Sequence, residues 1–189
     1  MTEKEKRDAG LLYSPDTDKE LSNELILCKD KCFEYNNIRP SDIESKRKAL
    51  KGIVGKTGES FNVVSPFWCD YGYNITLGEN FYANHNLVIL DCAPVTFGKN
   101  VYIAPDCAFY TAGHPINVKE RNAGLEYAKP IKVGDNVWIG GGTRVMPGVS
   151  IGSNTVIGAG SVVTKDVPDG VLAFGNPCKV HRKLTPEEL

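Results

Sequence analysis

Between Val133 and Val163 an aliphatic residue returns at every sixth position: Val133, Ile139, Val145, Ile151, Ile157 and Val163. Four residues after each of the first five stands a small or β-branched residue: Val137, Thr143, Val149, Thr155 and Ser161. An amphipathic helix repeats near 3.6 residues and a half-buried strand at about 2, so a period of six fits neither. It is the signature of a parallel β-helix, in which short strands alternate with turns and each repeat sends one aliphatic inward. Gly-x-Asn triplets at 78–80, 98–100, 134–136 and 152–154 mark a recurring corner, since both residue types tolerate positive φ. The last three triplets are spaced by 36 and then 18 residues, so three sixes close one coil. The expected body is a triangular prism whose rungs stack about 4.8 Å apart.

The sixes extend backwards through Leu77, Ala83 and Ile89, slip by two around Cys92–Pro94, and resume at Phe97, Ile103 and Phe109. In register, positions 115, 121 and 127 would then be Pro, Arg and Tyr, which cannot line the core. About residues 111–129 therefore leave the prism as a protruding loop, and an excursion of that length in a compact domain is usually functional. It opens Thr111-Ala112-Gly113-His114-Pro115.

The 189 residues suffice for one domain with a substantial core. Net charge is −1, from 22 basic and 23 acidic residues, which offers no electrostatic footprint for nucleic acid or an anionic membrane. The charged start, Thr2 to Asp8, lacks an export signal's apolar segment, and no apolar run approaches membrane-spanning length; a cytoplasmic protein is expected. The six cysteines (Cys28, Cys32, Cys69, Cys92, Cys107 and Cys178) are scattered, and read as free, mostly buried thiols. Cys28 and Cys32 lie four apart on a helix but have no partner ligands in the sequence, so no metal is expected.

Residues 17–36 have helical spacing, with a capping box at Thr17-Asp18-Lys19-Glu20 and Leu21, Leu25, Cys28 and Cys32 on one face. A second box at Ser41–Glu44 opens a helix ending near Gly52. Together they form an N-terminal two-helix cap, residues 1–55, over an open end of the prism. Residues 56–172 form the β-helix with its loop. Residues 173–189, including basic Lys179-Val180-His181-Arg182-Lys183, form a short C-terminal helix or tail.

The chain resembles the hexapeptide-repeat acyltransferases, specifically the maltose/galactoside O-acetyltransferase group. The resemblance spans nearly its whole length and rests on Tyr82-Ala83-Asn84-His85-Asn86, Gly113-His114-Pro115, Asn136-Val137-Trp138-Ile139-Gly140-Gly141, Val163-Thr164-Lys165-Asp166-Val167-Pro168 and Gly175-Asn176-Pro177. Several chemistries use hexapeptide scaffolds, and the Gly-His-Pro loop narrows the choice. The resemblance implies a mainly β, left-handed parallel β-helix, an exception to the right-handed crossover rule. It also implies a homotrimer with acetyl-CoA in clefts between subunits, and acetyl transfer to a hydroxyl of a sugar such as maltose, glucose or a galactoside.

His114 is the candidate general base, because imidazole titrates nearest neutrality and this one sits at the root of the loop. His85, in a rung, and His181, in the basic tail, read as structural. By resemblance, Asn84 stands beside the base, as oxyanion donor or acceptor ligand. Asp16, Asp70 and Glu126 match positions that reach the sugar, a role suited to carboxylates, and Glu126 can alternatively orient the His114 imidazolium. Gly141, Ala159 and Thr164 match backbone contacts to the pantetheine arm, with Trp138 flanking that groove. Lys165, Lys179 and Arg182 suit the ribose and diphosphate oxygens. Cys92 stands where some members carry an acid, which leaves the acceptor open.

Within the same chemistry, an antibiotic or serine acceptor is the alternative. A γ-class carbonic anhydrase-like zinc enzyme shares the scaffold but needs three converging histidines, and the three here are dispersed. A non-catalytic scaffold or sugar-binding module would have no use for the Gly-His-Pro loop.

Overall fold

The computed structural model describes residues 1–189. The hexads wind into a left-handed parallel β-helix with three faces. The first face stacks Lys56–Thr57, Ile75–Leu77, Val95–Phe97, Ile131–Val133 and Ser150–Ile151. The second stacks Phe61–Val63, Phe81–Ala83, Tyr102–Ile103, Trp138–Ile139, Val156–Ile157 and Val171–Phe174. The third stacks Phe67–Cys69, Leu87–Leu90, Ala108–Tyr110, Arg144–Val145 and Val162–Val163.

Each hexad buries two residues where one was expected. The aliphatic series from Val133 to Val163 is at most 3% exposed, and so are Val137, Thr143, Val149, Thr155 and Ser161. The hydroxyls in that second series donate to turn carbonyls, as from Thr143 Oγ1 to Gly140 O at 2.6 Å, so their burial leaves no polar atom unpaired. Midway along the prism, Phe81, Phe97 and Phe109 stack with 5.0 Å between successive ring centroids.

The corner triplets divide their work in a way the sequence does not announce. Asn80, Asn100, Asn136 and Asn154 supply the positive φ, at 57°, 55°, 56° and 53°. The triplet glycines do not; a Cβ on Gly78 would lie 2.0 Å from Gly98 O in the next coil, so close stacking excludes any side chain there. The four asparagines also form an amide ladder, with Nδ2-to-Oδ1 bonds of 3.0, 2.8 and 2.8 Å. Asn136→Ala should therefore cost about 2 kcal/mol, from left-handed strain and lost bonds. Asn136→Gly should cost less, because glycine keeps the φ; denaturant midpoints check the order.

The cap has three helices where two were expected. α1 (Glu3–Asp8) is closed by a capping box from Thr2 and Glu5. α2 (Lys19–Asn37) is capped by Asp18, and α3 (Ile43–Lys51) by Asp42. α2 covers the open first coil, with Cys28, Cys32 and Tyr35 entering the same core as Phe67 and Cys69. Asn36 substitutes for the missing strand below, bonding Phe67 N–H at 2.8 Å and Phe67 C=O at 3.0 Å. The excursion is not structureless: Ala112–Gly113 pairs antiparallel with Tyr127–Ala128, and α4 (Val118–Asn122) tips the hairpin. The basic tail is a strand, Lys179–Lys183, antiparallel to Val171–Phe174. No helix is long and apolar enough to cross a membrane.

Candidate active site

The loop leaves the prism at the corner after the third face and places His114 just beyond its first hairpin pair. His114 Nδ1 lies 3.0 Å from Leu125 O. A carbonyl only accepts, so the neutral ring keeps its proton on Nδ1 and leaves Nε2 with a free lone pair. Glu126 Oε1 is 3.8 Å from that Nε2. This is too long for a good hydrogen bond and within ion-pair range.

Glu126 is itself held by Tyr13, a residue the sequence reading passed over. The two backbones bridge, with N–H to O distances of 3.1 and 2.8 Å, and Tyr13 Oη donates to Glu126 Oε2 at 2.9 Å. Tyr13 is fully buried in a small second core with Leu21, Tyr71, Cys92, Ala93 and Ala128. The cap therefore braces the loop. Nothing local to Tyr13 in the sequence signals this, because its partner is 113 residues away.

Asp70 lies at the same corner, with Cys92 Sγ 3.7 Å from its Oδ2. Burial first, then neighbouring Asp91, pushes its carboxyl up to about 6. Asp91, also missed, is fully buried; its Oδ1 accepts from Asp70 N–H at 3.0 Å and Tyr71 N–H at 2.9 Å. It belongs to the two-residue slip at Cys92–Pro94, so the break in period was the available signal. Asp16, on the Pro15–Thr17 turn of the cap, lies against the loop: a Cβ on Gly124 would lie 3.7 Å from its Oδ2.

The other predicted residues lie elsewhere. Asn84 follows the second-face strand Phe81–Ala83, at the corner between second and third faces, and its Oδ1 accepts from His85 N–H at 2.8 Å. Gly141 and Ala159 stack along that same corner, joined through the Gly160 N–H to Gly141 C=O bond of 2.8 Å. Trp138 is 56% exposed on the outer second face. Lys179 and Arg182 are on the antiparallel strand edging that face, where Arg182 makes a two-pronged ion pair with Glu188 at 2.6 and 2.7 Å. Thr164 and Lys165 are exposed at the His114 corner, after Val162–Val163.

The predicted residues thus fall into two separate groups on one chain. His114, Glu126, Asp70, Thr164 and Lys165 belong to the corner after the third face or the loop leaving it, with Asp16 of the cap against that loop; Asn84, Gly141, Ala159, Trp138, Lys179 and Arg182 belong to the corner before it or to the second face. A strand of three residues at about 3.3 Å each keeps the corners roughly 10 Å apart. A cavity of about 490 Å³ holds none of these residues; it lies under α2 and α3 against Tyr35, Lys46, Arg47, Phe61 and His85. Both groups lie on open corners of the prism and line no closed cavity.

The maltose acetyltransferase hexapeptide capping motif matches residues 6–58, and the bacterial transferase hexapeptide repeat matches residues 130–165. A Saccharomyces cerevisiae protein, named provisionally as an acetyltransferase, is 52% identical over 95% of this chain and 91% of its own. A maltose O-acetyltransferase from Clostridium difficile 630 superimposes with a TM-score of 0.96 at 47% identity, covering 98% of both chains. A galactoside acetyltransferase in complex with coenzyme A also gives a TM-score of 0.96, at 41% identity over 100% of this chain and 94% of that one.

Proposed function

The chain belongs to the hexapeptide-repeat acetyltransferases, and from that premise we propose that it moves the acetyl group of acetyl-CoA onto a sugar hydroxyl at a site two subunits complete. The observation that carries this reading is the His114 ring, with Nδ1 3.0 Å from Leu125 O and Nε2 3.8 Å from Glu126 Oε1.

The sugar hydroxyl gives its proton to His114 Nε2 as its oxygen attacks the thioester carbonyl carbon. The imidazolium is stabilised by Glu126, whose position Tyr13 fixes. The negative charge on the former carbonyl oxygen needs a donor. Gly141 N–H and Asn84 Nδ2 are both without a partner within the chain and lie on one corner, so both are available for this role. Collapse breaks the C–S bond, and the coenzyme A thiolate takes the proton back from His114. Asp70 and Asp16 accept from the sugar's other hydroxyls.

Because those donors and His114 are on different corners, one subunit's His114 serves a neighbour's Asn84 and Gly141. The outer surfaces support such an assembly. The first face carries Lys56, Thr76, Thr96, Lys132 and Ser150 in register, a solvent ladder. The second carries Tyr82, Tyr102, Trp138, Val156 and Leu172 in register, an apolar ladder expected to be covered. A homotrimer closes three such contacts around one axis.

The Asp70 carboxyl makes acceptor binding pH-dependent. Its pKa is raised, so it is a carboxylate above about 6 and protonated below. Acceptor KM should therefore rise as pH falls through that value, and Asp70→Asn should flatten the dependence; a KM that follows the wild-type curve in the variant would remove Asp70 from the acceptor site.

Acetyl-CoA incubated with maltose, glucose and a galactoside, then with serine and an aminoglycoside, tests the function. Thiol release with a product one acetyl group heavier is expected for a sugar. Preference for serine or the antibiotic would overturn the sugar reading and keep the chemistry.

A further inference from the structure

Three of the six cysteines meet outside this site, where the cap closes the prism. Cys28 and Cys32 lie one turn apart on the same face of α2, and Cys69 points inward from the third-face strand of the first coil. Cys28 Sγ is 3.5 Å and Cys32 Sγ 3.7 Å from Cys69 Sγ, and all three sulfurs lie within 4.8 Å of one another. Buried thiols are common as small hydrophobes; here three of them converge, while Cys92, Cys107 and Cys178 stand outside the cluster.

We propose that Cys28, Cys32 and Cys69 form a three-coordinate thiolate site for a soft monovalent cation of the copper(I) class. Metal–sulfur bonds of about 2.3 Å in a trigonal plane put the sulfurs about 4.0 Å apart, a few tenths of an ångström beyond the two distances to Cys69 and inside the 4.8 Å that spans the trio. A disulfide would need the same atoms at about 2.05 Å, a far larger movement between a helix and a rung packed on each other. Thiolate-only donors select soft ions. Zinc wants four ligands in a structural site, and no fourth cysteine, histidine or carboxylate joins the cluster.

The site is dry, with Cys28, Cys32 and Cys69 at most 4% exposed among the apolar residues of the main core. Copper(I) would displace thiol protons to solvent with no change in its own oxidation state. Because two ligands are on α2 and one on the first coil, the ion would fasten the cap to the prism. This proposal is independent of the acetyl-transfer reading.

The full-length protein, reduced and anaerobic, is titrated with copper(I) against a chromophoric chelator. One ion per chain is expected. Removing a direct ligand should exceed the 10–100-fold typical of an outer-shell loss, so Cys32→Ser and Cys69→Ser should each weaken retention by about 100-fold or more. Cys107→Ser and Cys178→Ser should leave it unchanged. X-ray absorption on the unmodified protein needs no variant to fold, and should show three sulfur neighbours near about 2.3 Å. Retention no tighter than in a Cys28/Cys32/Cys69 triple-serine chain would overturn the site, as would fewer sulfur neighbours, tighter binding of zinc than copper(I), or isolation with a Cys28–Cys69 disulfide that refuses metal.

Discussion

Replacing His114 with alanine should lower kcat by about two to four orders of magnitude, the usual worth of a positioned acid–base group. Binding should survive. The ring is half exposed on a loop outside the prism, and its one hydrogen bond, to Leu125 O, is worth about 1 kcal/mol net. Thermal unfolding should therefore barely move. Acetyl-CoA affinity should also persist, since the residues assigned to it lie on rungs and on the last strand. His114→Gln is a useful companion, because it keeps a polar side chain but cannot take a proton at neutral pH. Glu126→Gln should cost less than His114→Ala, since it removes support for the imidazolium and leaves the base. A His114→Ala chain that kept a tenth of its activity would exclude His114 as the base.

Most of the prism was legible in the sequence because the hexad is an unusually strict constraint. Val133 through Val163 each had to point inward, and Asn80, Asn100, Asn136 and Asn154 had to turn corners. The excursion was legible for the same reason: Pro115, Arg121 and Tyr127 cannot occupy inward positions. Its internal order was not. The hairpin between Ala112–Gly113 and Tyr127–Ala128 depends on pairing across the excursion, and residues that short carry no periodicity of their own. The final strand was hidden likewise, because Lys179–Lys183 is exposed throughout and has no apolar alternation to read. α1 is a six-residue helix of charged residues, visible only through its Thr2–Glu5 box.

For the site, the sequence supplied residue types and motifs but not their grouping. His114, Glu126 and Asp70 come together through Tyr13, Asp91 and Cys92, which are packing residues with no motif. Asn84 and His114 are thirty residues apart in a coil of about eighteen, which hides the fact that a whole face separates them. The three-cysteine cluster shows the same limit. Cys28 and Cys32 were visible as a pair on one helix face, and Cys69 became their neighbour only when α2 closed the first coil.

The division of the site between two corners is the central claim, and mixing two inactive chains tests it most directly. His114→Ala lacks the base, and Asn84→Ala lacks a donor worth about 10²–10³ in rate when it serves an oxyanion. Each variant alone should be nearly inactive. Unfolded together in equal amounts and refolded, the two chains assort at random. If each site draws Asn84 from one subunit and His114 from its neighbour, about a quarter of sites receive both intact residues. Activity should then recover to about a quarter of the wild-type rate in the mixture. If both residues came from one chain, no assortment could reunite them, and a mixture no more active than the sum of its two parents would contradict the account.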